Sequence, residues 1–293
     1  MTKVAIEVAQ RTRESIRPWG ALRKGVLHLV LAALGVLMAF PFVWMVLNAL
    51  MTQKEVSSLP LKWWPAEPQW QNFIDVWSAA PFSLYMFNSF FTAASIVALV
   101  LTNSALLAYA LTQFQFRGRN LLFSVILATY MLPSPVTYVP SFIIVSRLGW
   151  IDTYQGIIFS NAVNVFAVFL VRQAFLQVPR ELKEAALVDG ASHWRILTRI
   201  YVPLCKETFI ALGLLVFLQM YNNYLWPMLI TKSKEMRLIT IGLRQFFIEQ
   251  GAYGVNWPMI LTASTIAIVP LLILFFVAQE WFVKGVRDSG VKG

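Results

Sequence analysis

The chain has 293 residues, 58% of them hydrophobic and 13% charged, with a formal net charge of +10. Soluble domains carry about a quarter charged residues, so a water-soluble domain of this size could not cover its surface with so few. The lone cysteine, Cys205, excludes an intramolecular disulfide and a cysteine-based metal site.

Charge-free runs occupy 25–53, 76–116, 120–146, 153–171, 208–231 and 250–279. A helix needs about 20 apolar residues to cross a hydrocarbon core of about 30 Å. Each run meets that length, the fourth only just, with 19 residues from Thr153 to Val171. The expected fold is all-α: a polytopic membrane protein with six transmembrane helices over 25–283, preceded by a segment 1–24 and followed by a tail 284–293. The run after residue 24 is too long for the apolar centre of a signal peptide and no small-residue cleavage site closes it, so the first helix is expected to be retained.

Between the first two spans, Leu59 to Pro81 holds Pro60, Pro65, Pro68 and Pro81 with Trp63, Trp64, Trp70 and Trp77. Indole rings favour the headgroup level, so this stretch reads as a structured surface loop with a short helix around 70–78. In the third span, Pro133, Pro135 and Pro140 remove backbone donors and kink the helix. Such a kink serves a transport path or is merely structural; the residues alone leave both open.

Ionisable residues are nearly absent from the spans. His28 and Glu280 lie near span ends, where snorkelling accounts for them, so no proton relay is visible. Uncharged polar groups are more plentiful: Asn88, Asn103, Asn161, Asn164, Gln219, Asn222 and Asn223, with Tyr130, Tyr221 and Tyr224. Each must face a neighbouring helix or a water-filled path. Gln219 to Tyr224 is the densest cluster, and its amides and rings suit a sugar's hydroxyls and C–H faces.

Segments that alternate across the membrane divide the basic residues unequally. One side (1–24, 117–119, 172–207, 284–293) holds 17 Lys and Arg, and the other (51–83, 147–152, 232–256) holds 7. The positive-inside rule places the first set, and both termini, in the cytoplasm. The net charge is then a topology signal. No base-stacking aromatics interleave with these charges, which argues against a nucleic-acid partner. His193, beside Trp194, is the one candidate for a membrane-embedded enzyme and has no partner nearby, so a cytoplasmic surface histidine is the expected reading.

Arg172 to Glu207 is too polar to enter the bilayer and reads as a helical hairpin. Pro179 suits a helix start, Arg180 to Val188 are good helix formers, and Gly190 is placed to close the helix at positive φ. Ser192 can cap a second helix through about Tyr201, which Pro203 ends. Leu182, Ala185 and Ala186 fall on one face at i, i+3, i+4, where small side chains allow close approach of a surface, either a partner's or that of the chain's own membrane domain.

Within this hairpin, Glu184-Ala185-Ala186, then Gly190, Ile200 and Pro203-Leu204, resemble the EAA motif of ABC-importer permeases. Leu148 to Tyr154, Arg172 to Phe175, Asn88-Ser89, Asn222/Asn223 with Trp226-Pro227 and the C-terminal Gly290 to Gly293 resemble its carbohydrate branch, the MalG-like subunits. The resemblance covers about residues 25–293. It implies the type I importer permease fold and no catalytic role for this chain. By it, Glu184, Ala185, Ala186, Leu187, Asp189 and Gly190 form a coupling helix that docks on a cytoplasmic ATPase dimer, which holds the ATP and Mg. It also implies a second, non-identical permease, a periplasmic binding protein contacting 232–256, and Val291 to Gly293 reaching towards the ATPases. Asn222, Asn223 and Tyr224, with Gln219 and Asn88, are the candidate path for a sugar or oligosaccharide. The absence of a G-x-x-x-x-G-K-[ST] loop agrees with an external energy source. An ion-coupled secondary transporter is the alternative. Lys232, Lys234, Arg237 and Arg244 on the outer side leave room for an acidic sugar.

Overall fold

The computed structural model describes residues 2–251 and 255–290, with side chains over 23–277 except at 134 and 250–254, and at 279. In chain order the helices are α1 (Thr2–Ala49), α2 (Gln53–Val56), α3 (Gln71–Ala79), α4 (Phe82–Gln113), α5 (Arg119–Tyr130) and α6 (Ser134–Arg147). They continue with α7 (Tyr154–Phe159), α8 (Val165–Leu176), α9 (Arg180–Val188) and α10 (His193–Ile196). A π-helical turn, Leu197–Tyr201, leads into α11 (Val202–Leu204), then α12 (Lys206–Tyr221), α13 (Leu225–Ile230), α14 (Ile239–Gly251) and α15 (Trp257–Gly290).

Three helices are long and apolar enough to span alone among the described residues: Arg23–Ala49, Phe82–Gln113 and Trp257–Val277. They correspond to the first, second and sixth expected spans. The third is not one kinked helix but α5 and α6 meeting at 102°, because Pro133 takes an extended ψ of 130° and starts α6 afresh. Another bend, of 79°, separates His193–Leu204 from α12, and counting each bent pair as one span gives five. The fourth expected span is two short helices. Thr153 caps α7 by accepting from the Gly156 N–H, and Asn164 caps α8 by accepting from Ala167, so the chain restarts within the run. Pro203 lies inside α11 instead of ending it, and the break comes at Cys205.

The chain divides into two compact units. One comprises residues up to Asn72 with Trp257–Thr265. Here the Asn72 amide donates to the Ala49 and Met51 carbonyls (2.9 and 3.1 Å), and Thr262 Oγ1 donates to Ala49 O (3.1 Å). Buried Glu55 closes a capping box with Thr52 and accepts from the Ala66 N–H at 3.0 Å. The Thr52 and Ala66 backbone N–H groups and the Thr52 hydroxyl outweigh burial and hold its carboxyl below the usual range.

The other unit holds Phe73–Asn256 and residues from Ile266 on. Its centre is α4, packed against α8 and α12 and flanked by α7 and α14. Ala93, Ala105 and Ala108 on α4 are buried, as small residues at membrane helix contacts allow backbones to close up. The core continues through Val100, Val171, Phe175, Leu212 and Val216 to Tyr201 and Ile196 at one end, and to Trp226 and Ile230 at the other.

Candidate functional site

The hairpin of α9 and α10 stands at the end of this unit where α4 and α8 finish. After Pro179, in extended conformation (φ −56°, ψ 134°), α9 runs over Arg180–Val188 as the local sequence predicts. It closes with Gly190 at φ +75°. The Gly190 N–H donates to Leu187 O (3.1 Å) and the Ala191 N–H to Ala186 O (2.9 Å), the paired bonds of a Schellman ending. A Cβ on Gly190 would meet nothing within 4 Å, so glycine is required by φ and not by space. Ser192 Oγ then caps α10 by accepting from the Arg195 N–H.

The hairpin's inner side is clamped. Lys183 Nζ donates to the carbonyl of Gln113, the last residue of α4, at 3.1 Å. Tyr109 Oη and His193 Nδ1 share a hydrogen bond at 3.0 Å, and the His193 ring meets Phe114 edge-on at 4.8 Å. Tyr109 also packs edge-on against Tyr201 (5.4 Å), and Tyr201 against Phe175 of α8 (5.1 Å). His193 is exposed, as a surface histidine should be, and the fold gives its ring a tyrosine partner 84 residues away.

The outer side is apolar and open. Leu182, Leu187 and Trp194 are exposed, and Val188 is 87% exposed. Glu184, Ala185, Asp189 and Gly190 are exposed with them. The predicted face divides: Leu182 and Ala185 are exposed, whereas Ala186 is half-buried and packs inward on the core, as does Ala191. The presented surface is therefore Leu182, Ala185, Leu187 and Val188 with two carboxylates. Beside it, a cleft of about 570 Å³ lies between the end of α8 and the start of α12, lined by Gln173, Gln177, Leu182, Leu204 and Glu207 among others.

The path candidates separate into two groups. Gln219 and Asn222 are exposed and Asn223 and Tyr224 half-buried, all at the break between α12 and α13. The Asn222 amide donates to Leu218 O at 2.9 Å, and the Asn223 carbonyl accepts from Thr240 Oγ1 at 2.8 Å. Asn88 stands apart. Fully buried on α4, it donates to the Glu235 and Arg237 carbonyls (2.7 and 3.0 Å) and accepts from Tyr154 Oη (2.6 Å). Both its donors are committed to the backbone at Glu235 and Arg237, so it anchors that segment. Asn103, likewise, donates to Ala162 O at 2.9 Å.

Asp152 was not singled out by sequence reasoning. Its φ of +61° is a conformation that Asp tolerates better than most residues. Its Oδ1 accepts from the Lys232 and Ser233 N–H groups at 2.7 and 3.1 Å, and its own N–H donates to Ile230 O at 2.7 Å. Burial alone would raise its pKa. The two backbone N–H groups, the Ser233 hydroxyl and the Lys232 charge outweigh that and hold it below its ordinary value. Its position directly after Gly149-Trp150-Ile151 was the available signal. Of the remaining expectations, Val291 to Gly293 and residues 252–254 lie outside the described residues, as does the Glu280 side chain. His28 donates to Lys24 O at 2.7 Å.

Among the described residues the chain is all-helical, with apolar spans and an exposed, clamped helical hairpin, the architecture of a polytopic membrane protein, and the family comparison places it: the chain belongs to the binding-protein-dependent transport system inner membrane components, matched over residues 104–288. It is the inner-membrane permease component of an ABC importer and not itself an enzyme, which removes the ion-coupled carrier as an alternative. It is 35% identical over 268 residues to the sn-glycerol-3-phosphate transport system permease protein UgpE of Yersinia enterocolitica, spanning 89% of this chain and 95% of that one. It is 37% identical over 209 residues to the arabinooligosaccharides transport system permease protein AraQ of Bacillus subtilis, 71% of this chain and 73% of that one. In fold it matches a chain in the crystal structure of a bacterial ABC transporter involved in the import of the acidic polysaccharide alginate. The TM-score is 0.80 at 23% identity, with 92% of this chain and 98% of that chain covered.

Proposed function

We propose that this chain is one of two non-identical permease subunits through which a sugar, sugar phosphate or oligosaccharide is imported at the expense of ATP hydrolysed by a cytoplasmic ATPase dimer. The observation that carries the reading is the hairpin: an exposed apolar face flanked by Glu184 and Asp189, backed by a clamp to the ends of α4 and α8. A partner closing against that face would displace α9 as a rigid body. Lys183–Gln113 and His193–Tyr109 would pass the movement to α4, the helix at the centre of the unit, and so bias inward- and outward-open states.

The 17-to-7 division of basic residues supports placing the hairpin and both termini in the cytoplasm. The outer segment 232–256 then faces a periplasmic binding protein, and ATP and Mg belong to the ATPases. Membership of the binding-protein-dependent family supports both partners. Named substrates among the relatives are glycerol phosphate and arabinooligosaccharides, and the structural neighbour handles alginate. Polyhydroxylated solutes are common to all three, which supports a sugar-like substrate. Gln219, Asn222, Asn223 and Tyr224, at the α12–α13 break, are its proposed contacts, since a helix break in a membrane leaves backbone groups that only protein or a water-filled cavity can satisfy. Co-purification of the tagged chain from cells expressing its whole transport system tests the assignment. A second permease and two ATPase copies should accompany it, and active transport by this chain without an ATPase would end the reading.

A further inference from the structure

Away from the hairpin, α5 and α8 pack side by side, and each carries an arginine. Arg172, near the end of α8, holds its guanidinium 4.1 Å from the centre of the Phe123 ring. Its Nε is buried and has no hydrogen-bond partner among the described residues. Arg119, at the start of α5 and one helical turn before Phe123, carries a charge of the same sign. Arg119 donates one hydrogen bond, to the Phe114 carbonyl at 3.3 Å, out of the five its fork can make. A surface cleft of about 350 Å³ opens beside Arg119, lined by Gln115, Phe116, Gly118, Arg119, Asn120 and Leu121, with Arg172 outside its walls. Phe123 answers Arg172 only through its ring face, so two like charges on adjacent helices remain to be balanced by an anion.

A second cavity between the same two helices has the opposite character. Leu127, Tyr130, Val165, Phe166 and Phe169 frame a groove of about 240 Å³. Leu127 is eight residues beyond Arg119, which puts it about 12 Å further along α5. Cationic groups at a membrane boundary with an apolar groove about 12 Å deeper reproduce the order of groups in a phospholipid. Free phosphate would use the arginines but not the groove.

We propose that Arg119 and Arg172 bind the phosphate of an anionic phospholipid whose acyl chain lies in the groove framed by Leu127, Phe166 and Phe169. On the topology proposed above the lipid belongs to the inner leaflet, and only that detail rests on the topology.

The test is native mass spectrometry of the assembled transporter released from nanodiscs of equal phosphatidylglycerol and phosphatidylcholine. The wild type should retain phosphatidylglycerol preferentially. R119Q/R172Q should lose at least fivefold of that preference, while R119K/R172K keeps most of it. Millimolar inorganic phosphate should displace none. Equal retention by wild type and R119Q/R172Q overturns the site. No retained phosphatidylglycerol, the result if a second permease subunit covers the groove, also overturns it, as does displacement by phosphate alone. If the double variant does not assemble, R119Q alone makes the same comparison. Nanodiscs present the same lipids on both faces, so the readout does not depend on orientation or transport, and failure of the topology and failure of the site are told apart.

Discussion

Replacing Asn88 by Ala separates an anchor from a substrate contact. The side chain makes three hydrogen bonds, two donated to the Glu235 and Arg237 carbonyls and one accepted from Tyr154. Polar bonds in membrane proteins average about 0.6 kcal/mol, and bonds in water-soluble proteins about 1 kcal/mol. Glu235 is exposed and Arg237 half-buried, so water can reach the freed carbonyls and the full penalty for orphaned buried groups does not apply. The expected loss is therefore about 2–3 kcal/mol, concentrated on the outer loop. In the purified complex this should lower the melting temperature by several degrees and speed tryptic cleavage at exposed Lys232 and Lys234. The KM of whatever transport survives should stay unchanged. An unaltered melting temperature with a raised KM would refute the anchor and support Asn88 as a path residue.

Further outcomes follow from single side chains. Gly242→Ala would drive a Cβ into the ring of buried Tyr85, costing about 1–3 kcal/mol. Gly213→Ala, whose nearest neighbours lie at 3.5 and 3.7 Å, should melt like wild type in the same assay. Asp152 has a depressed folded-state pKa, so its contribution is present above its ordinary value of 3.8 and lost as pH falls through the folded value. Melting temperatures should therefore show no Asp152-dependent change from about pH 5 to pH 8, with a loss in more acid solution that Asp152→Asn removes. Tyr109→Phe keeps the ring contacts but deletes the bond to His193. It should leave assembly intact and reduce ATPase stimulation by the loaded binding protein, measured in proteoliposomes.

Hydropathy was enough for the helices that span alone, because each keeps one unbroken apolar run from Arg23, Phe82 or Trp257. It was not enough where a run without charges conceals a break. Asn164 caps a helix, Pro133 restarts one and Asn222 to Tyr224 interrupt one, all without a charge to mark the place. The hairpin was legible residue by residue, since Gly190 and Ser192 act on their immediate neighbours. Which side of α9 faces outward was not. Spacing puts Ala186 on a face with Leu182 and Ala185, but only the end of α4, met through Lys183 and Gln113, turns Ala186 inward. The anchoring contacts of Asn88 and Asp152 were not legible for one reason: their partners lie 147 and 80 residues further along the chain, beyond any local pattern.

Charge reversal at Glu184 addresses the proposed coupling most directly. In proteoliposomes holding the complete transporter, Glu184→Lys should abolish ATPase stimulation by substrate-loaded binding protein while the chain still inserts in the membrane. Exposed Glu184 touches none of the clamp contacts, so loss of stimulation would report docking and not unfolding. Full stimulation in the variant would contradict the claim that this hairpin receives the work of ATP hydrolysis.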